Sequence, residues 1–432
     1  MKNFETLKPE ADRLRKSKKY DLALPIYGEM WDNFHDQCNE WDGLNYAFCL
    51  KQQKKYHDAL VVCKEVYEKY PDFENIRCSY AWCLYYIYIA PKIIRKEDIF
   101  LEKAELITNL STQSDPSGIY VRTVLKVLDN LMSKRIIPVA NAIVWCEKID
   151  SDELNPTPFF MKKNGEVIEF SSEKEHYIAI KLKLLHAIKD YEACLEVCEE
   201  AFEEFDILHE DNYITFRYIA ADCYNHFNLP EKALERYQEI IEVLPTPRYL
   251  NAIANLLYKL DRKDEALKYA IQGALAGGTP DKKIGIFKLL AQLFEDEGKL
   301  DIAKLHLQQV YAIFRAKKIQ PDEALLKWID SYDIRSEYID FKRMSHDLQL
   351  CWESIKYADK ERYEGRIKNI LPNGKSGFIE TNENKNFYFT FNNLNINPQS
   401  VYVGMPVSFL VMEAYDTKHD RTSEVAFAIS GI

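Results

Sequence analysis

The chain has 432 residues, 47% of them hydrophobic, with only 14 Gly and 16 Pro, which excludes a disordered or collagen-like polymer. That length leaves room for several domains or one extended array. Lys and Arg number 57 against 68 Asp and Glu, a net charge of −11, so the chain as a whole exerts no long-range attraction on phosphate. The longest apolar stretch, residues 80–94, is too short to span a bilayer and contains Pro91.

The N-terminus opens a charged helix and lacks an apolar signal core, so a soluble, cytoplasmic protein with no membrane contact is expected. A spacing then recurs. Ala11 and Ala23, Ala47 and Ala59, Ala221 and Ala233, Ala254 and Ala266, and Ala291 and Ala303 are each twelve residues apart. Small residues at two such points let paired antiparallel helices approach closely. A short polar turn lies between them, as in Lys18-Lys19-Tyr20, Lys54-Lys55-Tyr56 and Glu297-Gly298-Lys299. The second helix carries a single apolar stripe; Leu229, Ala233, Tyr237, Ile240 and Leu244 form one example. Pro71 and Pro245 stand where such helices must stop.

A small residue, an aromatic or leucine three further on, an Ala nine beyond that and a closing Pro resemble the tetratricopeptide repeat. The resemblance implies an α-solenoid that binds protein. Lys189-Asp-Tyr-Glu-Ala-Cys-Leu195 marks a sixth unit, with Lys181 at its small-residue position. Between about 75 and 175 the pattern loosens. Ala81-Trp82 and Leu101-Glu-Lys-Ala104 suggest a widened repeat, and residues 119–149 read as two more apolar helices. Eight or nine helix pairs are expected in all.

Residues 151–174 break the helical rhythm. Two β-like runs between Phe159 and Phe170 flank Asn164-Gly165, a strong hairpin signal. Ser171 and Ser172 are placed to cap the next helix, whose first turn is acidic from Glu173 to Glu175. The hairpin is either a contact element or a cover over an irregular joint. Repeats resume over 175–320, after those of 1–150. Pro321 then opens a helix through Trp328 and Tyr332, and residues 336–360 form another, with Tyr338, Phe341, Leu348, Cys351 and Ile355 apolar. Together, residues 321–360 read as the cap that ends a solenoid.

Near Lys360 the period changes to alternation, and residues 361–432 are the size of one small barrel. Eight cations balance eight carboxylates from residue 360 on, so the acidity lies in the helical part. A hinge is expected over 359–364. Five segments fall in order: Gly365-Arg-Ile-Lys368-Asn-Ile370, Lys375-Ser-Gly377-Phe378-Ile379, Phe387-Tyr388-Phe389-Thr390-Phe391, Gly404-Met-Pro-Val407-Ser-Phe409 and Glu424-Val-Ala-Phe-Ala-Ile429. They resemble the cold-shock domain, whose second and third segments are commonly Lys-Gly-Phe-Gly-Phe-Ile and Val-Phe-Val-His-Phe. The fold class is therefore mainly α: a TPR-like solenoid with an inserted hairpin and a five-stranded OB-fold barrel. The resemblance implies weak binding of single-stranded nucleic acid, RNA or DNA, by Phe378, Tyr388 and Phe391 with Lys368 alongside. Asn369, Ser376 and Thr390 stand where a Trp, a Phe and a His are usual.

None of the ten cysteines forms a C-x-x-C pair. Cys194 and Cys198 share a helix face with no further ligand nearby, so buried small hydrophobes in a reducing compartment are expected, with no metal. No phosphate loop, zinc-hydrolase helix or nucleophile elbow is present; neither a catalytic site nor a cofactor is expected.

Counted from the small residue of each first helix, the positions three before, one after and four after share one face. These are Tyr218, Asp222 and Asn225, then Asn251, Asn255 and Tyr258, then Lys288, Gln292 and Glu295. Ala254-Asn255 resembles the small residue plus Asn with which peptide-binding tetratricopeptide repeats hold a ligand backbone, and the nine are the candidate face for a protein or peptide partner. A plain solvated face is the alternative. An irregular repeat array with an inserted segment and a terminal cold-shock-like domain also resembles the helical-repeat proteins of bacterial TOTE-type conflict systems. That likeness implies a role in defence. A protein-only scaffold, its barrel a docking module, remains the second reading.

Overall fold

A computed structural model describes residues 3–94, 96–163, 165–209, 211–335, 341–396, 398–416 and 421–432. The chain forms two compact units, residues 1–227 and 228–432.

The first unit runs α1 (Phe4–Lys16), α2 (Tyr20–Asn33), α3 (Glu40–Gln52), α4 (Tyr56–Lys69), α5 (Glu74–Leu84), α6 (Glu97–Leu110), α7 (Ile119–Met132), α8 (Val139–Cys146), strands β1 (Phe159–Lys163) and β2 (Glu166–Phe170), then α9 (Glu173–Ala187), α10 (Tyr191–Glu204) and α11 (Asn212–His226). The second runs α12 (Pro230–Val243), α13 (Pro247–Lys259), α14 (Lys263–Leu275), α15 (Ile284–Asp296), α16 (Leu300–Lys317), α17 (Glu323–Ser331) and α18 (Phe341–Lys356). Strands β3 (Tyr363–Ile370), β4 (Ser376–Thr381), β5 (Asn386–Thr390), β6 (Pro406–Asp416) and β7 (Arg421–Gly431) follow. The chain is thus a TPR-like helical array with a hairpin and a terminal barrel.

The repeat rests on one backbone device. Lys18, Lys54, Lys189, Asn228, Asp261 and Gly298 all take positive φ, from 56° to 74°. After five of them the next N–H reaches back to a carbonyl five residues earlier, as in Lys19 to Leu14 at 2.9 Å, Lys55 to Leu50 at 2.9 Å and Arg262 to Leu257 at 2.9 Å. This is a Schellman closure, which satisfies the orphan carbonyls of the first helix and turns the chain into the second. Left-handed backbone costs a side-chain-bearing residue about 1–2 kcal/mol. Lysine at three of these positions lies close to the negative end of the helix it terminates. All ten alanines of the twelve-residue spacing are fully buried.

The same turn corrects the sixth unit by one residue. Lys189 has φ 62°, and Asp190 N–H bonds Leu185 O at 3.0 Å. Matched to Lys18 and Lys54, the two close-contact positions are Leu182 and Cys194, both fully buried. Lys181 and Ala193 are only half-buried. The larger Leu182 breaks the small-residue pattern by which the unit would be recognised.

Eight of the cysteines are buried. The Cys194 and Cys198 thiols point to the Leu182 and Phe216 carbonyls at 3.8 and 3.7 Å. In the hairpin Phe159 pairs with Phe170 and Lys163 with Glu166. Gly165 has φ 90° at the turn, and Asn164 lies outside the described residues. Phe159, Phe160, Met161 and Val167 are exposed. Ser172 caps α9, accepting from Glu175 N–H at 3.0 Å. The carboxylate of Glu175 does not face solvent. It is fully buried and accepts from His209 N–H, His209 Nδ1 and Asn212 Nδ2 at 2.7, 2.7 and 2.9 Å.

In the second unit, Tyr338 and the rest of residues 336–340 lie outside the described residues, and α18 is described from Phe341. Leu348 is buried, but the anchor of this helix is Trp352. Its ring lies parallel to Phe287 at 5.6 Å, and its Nε1 donates to His306 Nε2 at 2.9 Å. The barrel closes in the order β3-β4-β5-β7-β6, with β6 returning to β3. Strands β5 and β7 run parallel, and the other paired barrel strands antiparallel, which fits the connectivity of an OB-fold. Ile367, Ile379, Phe387, Phe389, Val407 and Phe409 fill its core. No division of the chain into compact units falls at 359–364. Arg362 donates to the Ser408 and Ala428 carbonyls at 3.0 and 2.6 Å, and Tyr357 meets the Phe427 ring edge-on at 5.0 Å.

Candidate nucleic-acid interface and partner-binding face

Alternation along β4 and β5 sends Ile379, Phe387 and Phe389 inward and leaves Phe378 and Tyr388 half-buried on the outer face. The two are paired across the ladder, with their rings edge-to-face at 5.6 Å. Gly377 makes the local packing possible. A Cβ there would sit 2.3 Å from Asn369 O and 2.8 Å from the Phe389 ring. Next to this pair, β3 bulges between Ile367 and Asn369, so Asn369 stands opposite Phe378 and Lys368 is the extra residue. The Lys368 ammonium is exposed but occupied, by Glu380 Oε1 at 2.6 Å and Asn386 Oδ1 at 3.0 Å. Phe391 has a different setting. It begins the short 3-10 turn after β5, packs on the barrel core and stacks parallel on Phe389 at 6.0 Å. The structure therefore brings Phe378, Tyr388 and Lys368 to one face, while the contacts of Phe391 are with the core.

The candidate partner face divides between the two units. In the first, Asp222 Oδ2 bonds His186 Nε2 at 2.7 Å, Tyr218 meets the His186 ring edge-on at 6.0 Å, and Asn225 is exposed. In the second, Asn255 Nδ2 donates back to Asn251, to its carbonyl at 2.7 Å and its Oδ1 at 3.0 Å. Lys288 is half-buried. Tyr258 and Gln292 converge on a residue the face-counting missed, Asp296, which accepts from Tyr258 Oη, Gln292 Nε2 and Lys263 Nζ at 3.0, 3.0 and 2.8 Å. Its spacing of four from Gln292 was the available signal. Lys263 and then Gln292 hold the Asp296 carboxyl below the usual carboxylate range, and burial and then Asp296 push the Tyr258 phenol up. Glu295 accepts from Trp328 Nε1 at 3.1 Å, which links α15 to α17. In each unit, then, several of these polar side chains are already hydrogen-bonded to protein groups.

No protein-family model matches the sequence, and no curated protein does. Among solved structures the chain is similar to the human IFIT1 dimer with m7Gppp-AAAA, at 14% identity over 81% of this chain and 78% of that one, TM-score 0.34. It is similar to a tetratricopeptide repeat protein from Parabacteroides merdae, at 13% identity over 66% and 97%, TM-score 0.29. It is also similar to the TPR2AB domain of yeast Sti1 in its pHSP90 complex, at 13% identity over 71% and 96%, TM-score 0.29. At these values the repeat assignment rests on the recurring turn and the buried alanines. Among the described residues, no helix is long and apolar enough to cross a membrane.

Proposed function

We propose that the protein is a non-enzymatic adaptor, in which the helical repeats hold a protein or peptide partner and the barrel, read as a cold-shock-like domain, binds single-stranded RNA. The observation that carries this reading is the edge-to-face pair Phe378–Tyr388, half-exposed on the second and third barrel strands. That is the face through which OB-folds take up oligonucleotides, by stacking bases on aromatic rings. The resemblance to TOTE-type helical-repeat proteins extends the reading to bacterial defence, with catalysis left to other proteins.

A barrel with balanced charge neutralises few phosphates, so stacking supplies most of the affinity and binding is weak. Fluorescence anisotropy with a labelled single-stranded oligouridylate should show binding at low salt that weakens at 200 mM salt, as phosphate contacts do in general. Phe378→Ala with Tyr388→Ala should abolish it, each ring being worth about 1–3 kcal/mol. Unchanged affinity in that folded double variant refutes the proposed platform. The protein-only scaffold is the second reading, and the occupied Lys368 ammonium favours it. It predicts no binding of any single strand even at low salt.

A further inference from the structure

Between Glu74 and Glu97 this acidic chain carries Arg77, Lys92, Arg95 and Lys96 and no carboxylate. The same stretch leaves α-helical geometry. α5 continues from Leu84 into a π-helix, Tyr85–Ile89, closed by Ala90 N–H on Tyr85 O at 2.8 Å. Such a turn is rare, changes the direction of the side chains it carries and is frequent at functional positions.

Here those side chains wall a cavity of about 750 Å³ within the first unit. The volume lies inside the ~300–1,000 Å³ range of small-molecule sites. Ile87 of the π-helix, Ile94 of the loop after it, and Ile99 and Phe100 of α6 supply the apolar lining. The ionisable lining is His57, Tyr88, Lys92 and Lys96, with no carboxylate among it. The nearest carboxylate in sequence, Glu97, is engaged by Lys134. Among the described residues Lys92 and Lys96 have no ion pair, and both are exposed. Ile93, beside them, is 79% exposed.

We propose that this cavity binds a free organic anion with an apolar body: a fatty-acid carboxylate or an alkyl phosphate, its chain among the isoleucines and its headgroup between Lys92 and Lys96. The apolar wall supplies affinity through burial. The two exposed lysines at the rim select the sign of the headgroup. This site is independent of the barrel reading.

Isothermal titration of the full chain with dodecanoate and dodecyl phosphate tests it, with dodecyltrimethylammonium as the cation of equal chain length. The anions should bind at least about tenfold tighter than the cation. Lys92→Glu with Lys96→Glu should reverse that order, and Ile99→Asn should weaken both ligands while helicity is retained. Equal affinity for anion and cation, or an unchanged order in the folded double lysine variant, overturns the proposal. So does binding of adenosine monophosphate in place of dodecanoate, or binding only to vesicles of anionic phospholipid.

Discussion

His209 in the first unit and His306 in the second are both buried, but their surroundings differ. His209 precedes α11 and donates from Nδ1 to the buried carboxylate of Glu175 at 2.7 Å, with Glu169 of the hairpin 3.6 Å from its Nε2. His306 on α16 has two neutral partners. Its Nδ1 donates to Ile302 O at 2.8 Å and its Nε2 accepts from the Trp352 indole at 2.9 Å. The two units show two ways of holding a buried imidazole: a carboxylate that Nδ1 shares with other donors while Nε2 has no hydrogen-bond partner, or one neutral donor and one neutral acceptor. The first ties the start of α9 to the start of α11 and the loop before it through one carboxylate. The second pins the capping helix α18 to the last repeat.

The contrast can be broken from either side. Glu175→Ala strips His209 N–H, the imidazole and the Asn212 amide of their common acceptor. It should cost about 3–5 kcal/mol, since three buried donors lose their acceptor at about 1–3 kcal/mol each. Urea denaturation measures this, and a loss below about 1 kcal/mol, the scale of an exposed pair, would mean that the carboxylate is not structural. The neutral arrangement fails differently. Burial lowers the His306 pKa to about 4 against the ordinary 6.5. With the folded value depressed, the unfolded chain takes up the proton first as pH falls. The contribution is therefore fully present above pH 6.5 and drains away towards pH 4, by about 3 kcal/mol. Urea midpoints across that range should fall in the native chain and fall less in His306→Gln. Parallel curves would contradict a neutral, buried His306.

The smallest effect tests what the units share. Gly298 takes φ 74° at the turn where Lys54 takes 56°. Gly298→Ala should cost about 1 kcal/mol, since a Cβ is disfavoured in left-handed backbone. Lys54→Gly should lower stability by less, because it relieves the same strain while adding freedom to the unfolded chain. Equal and larger losses at both sites would place the weight of the turn on side-chain contacts.

Much of the fold was legible because its signals are local and repeat. The alanines at twelve-residue spacing mark where helices touch, and the barrel strands carry their inward residues at alternate positions. The hairpin turns at Gly165, whose φ of 90° suits glycine. The sixth repeat slipped by one because Leu182 is not small and Ala193 is, and only the positive φ of Lys189 sets its register. Of the candidate interface, the outward pairing of Phe378 and Tyr388 follows from alternation. The capture of Lys368 by Glu380 and Asn386 depends on a bulge and a neighbouring strand.

By itself, then, the sequence determined the helical array, the inserted hairpin and the terminal barrel, since periodicity, turn residues and proline stops act within a few residues of the chain. Tertiary structure alone decided that Glu175 turns inward to His209, that Trp352 meets His306, and that Asp296 gathers Tyr258 and Lys263. Each of these joins groups on different elements, many of them more than thirty residues apart, as Glu175 and His209 are. A polar side chain at a given helical position looks the same in sequence whether it meets water or a distant partner; burial and hydrogen-bond satisfaction make the choice, and both are set by the packed whole.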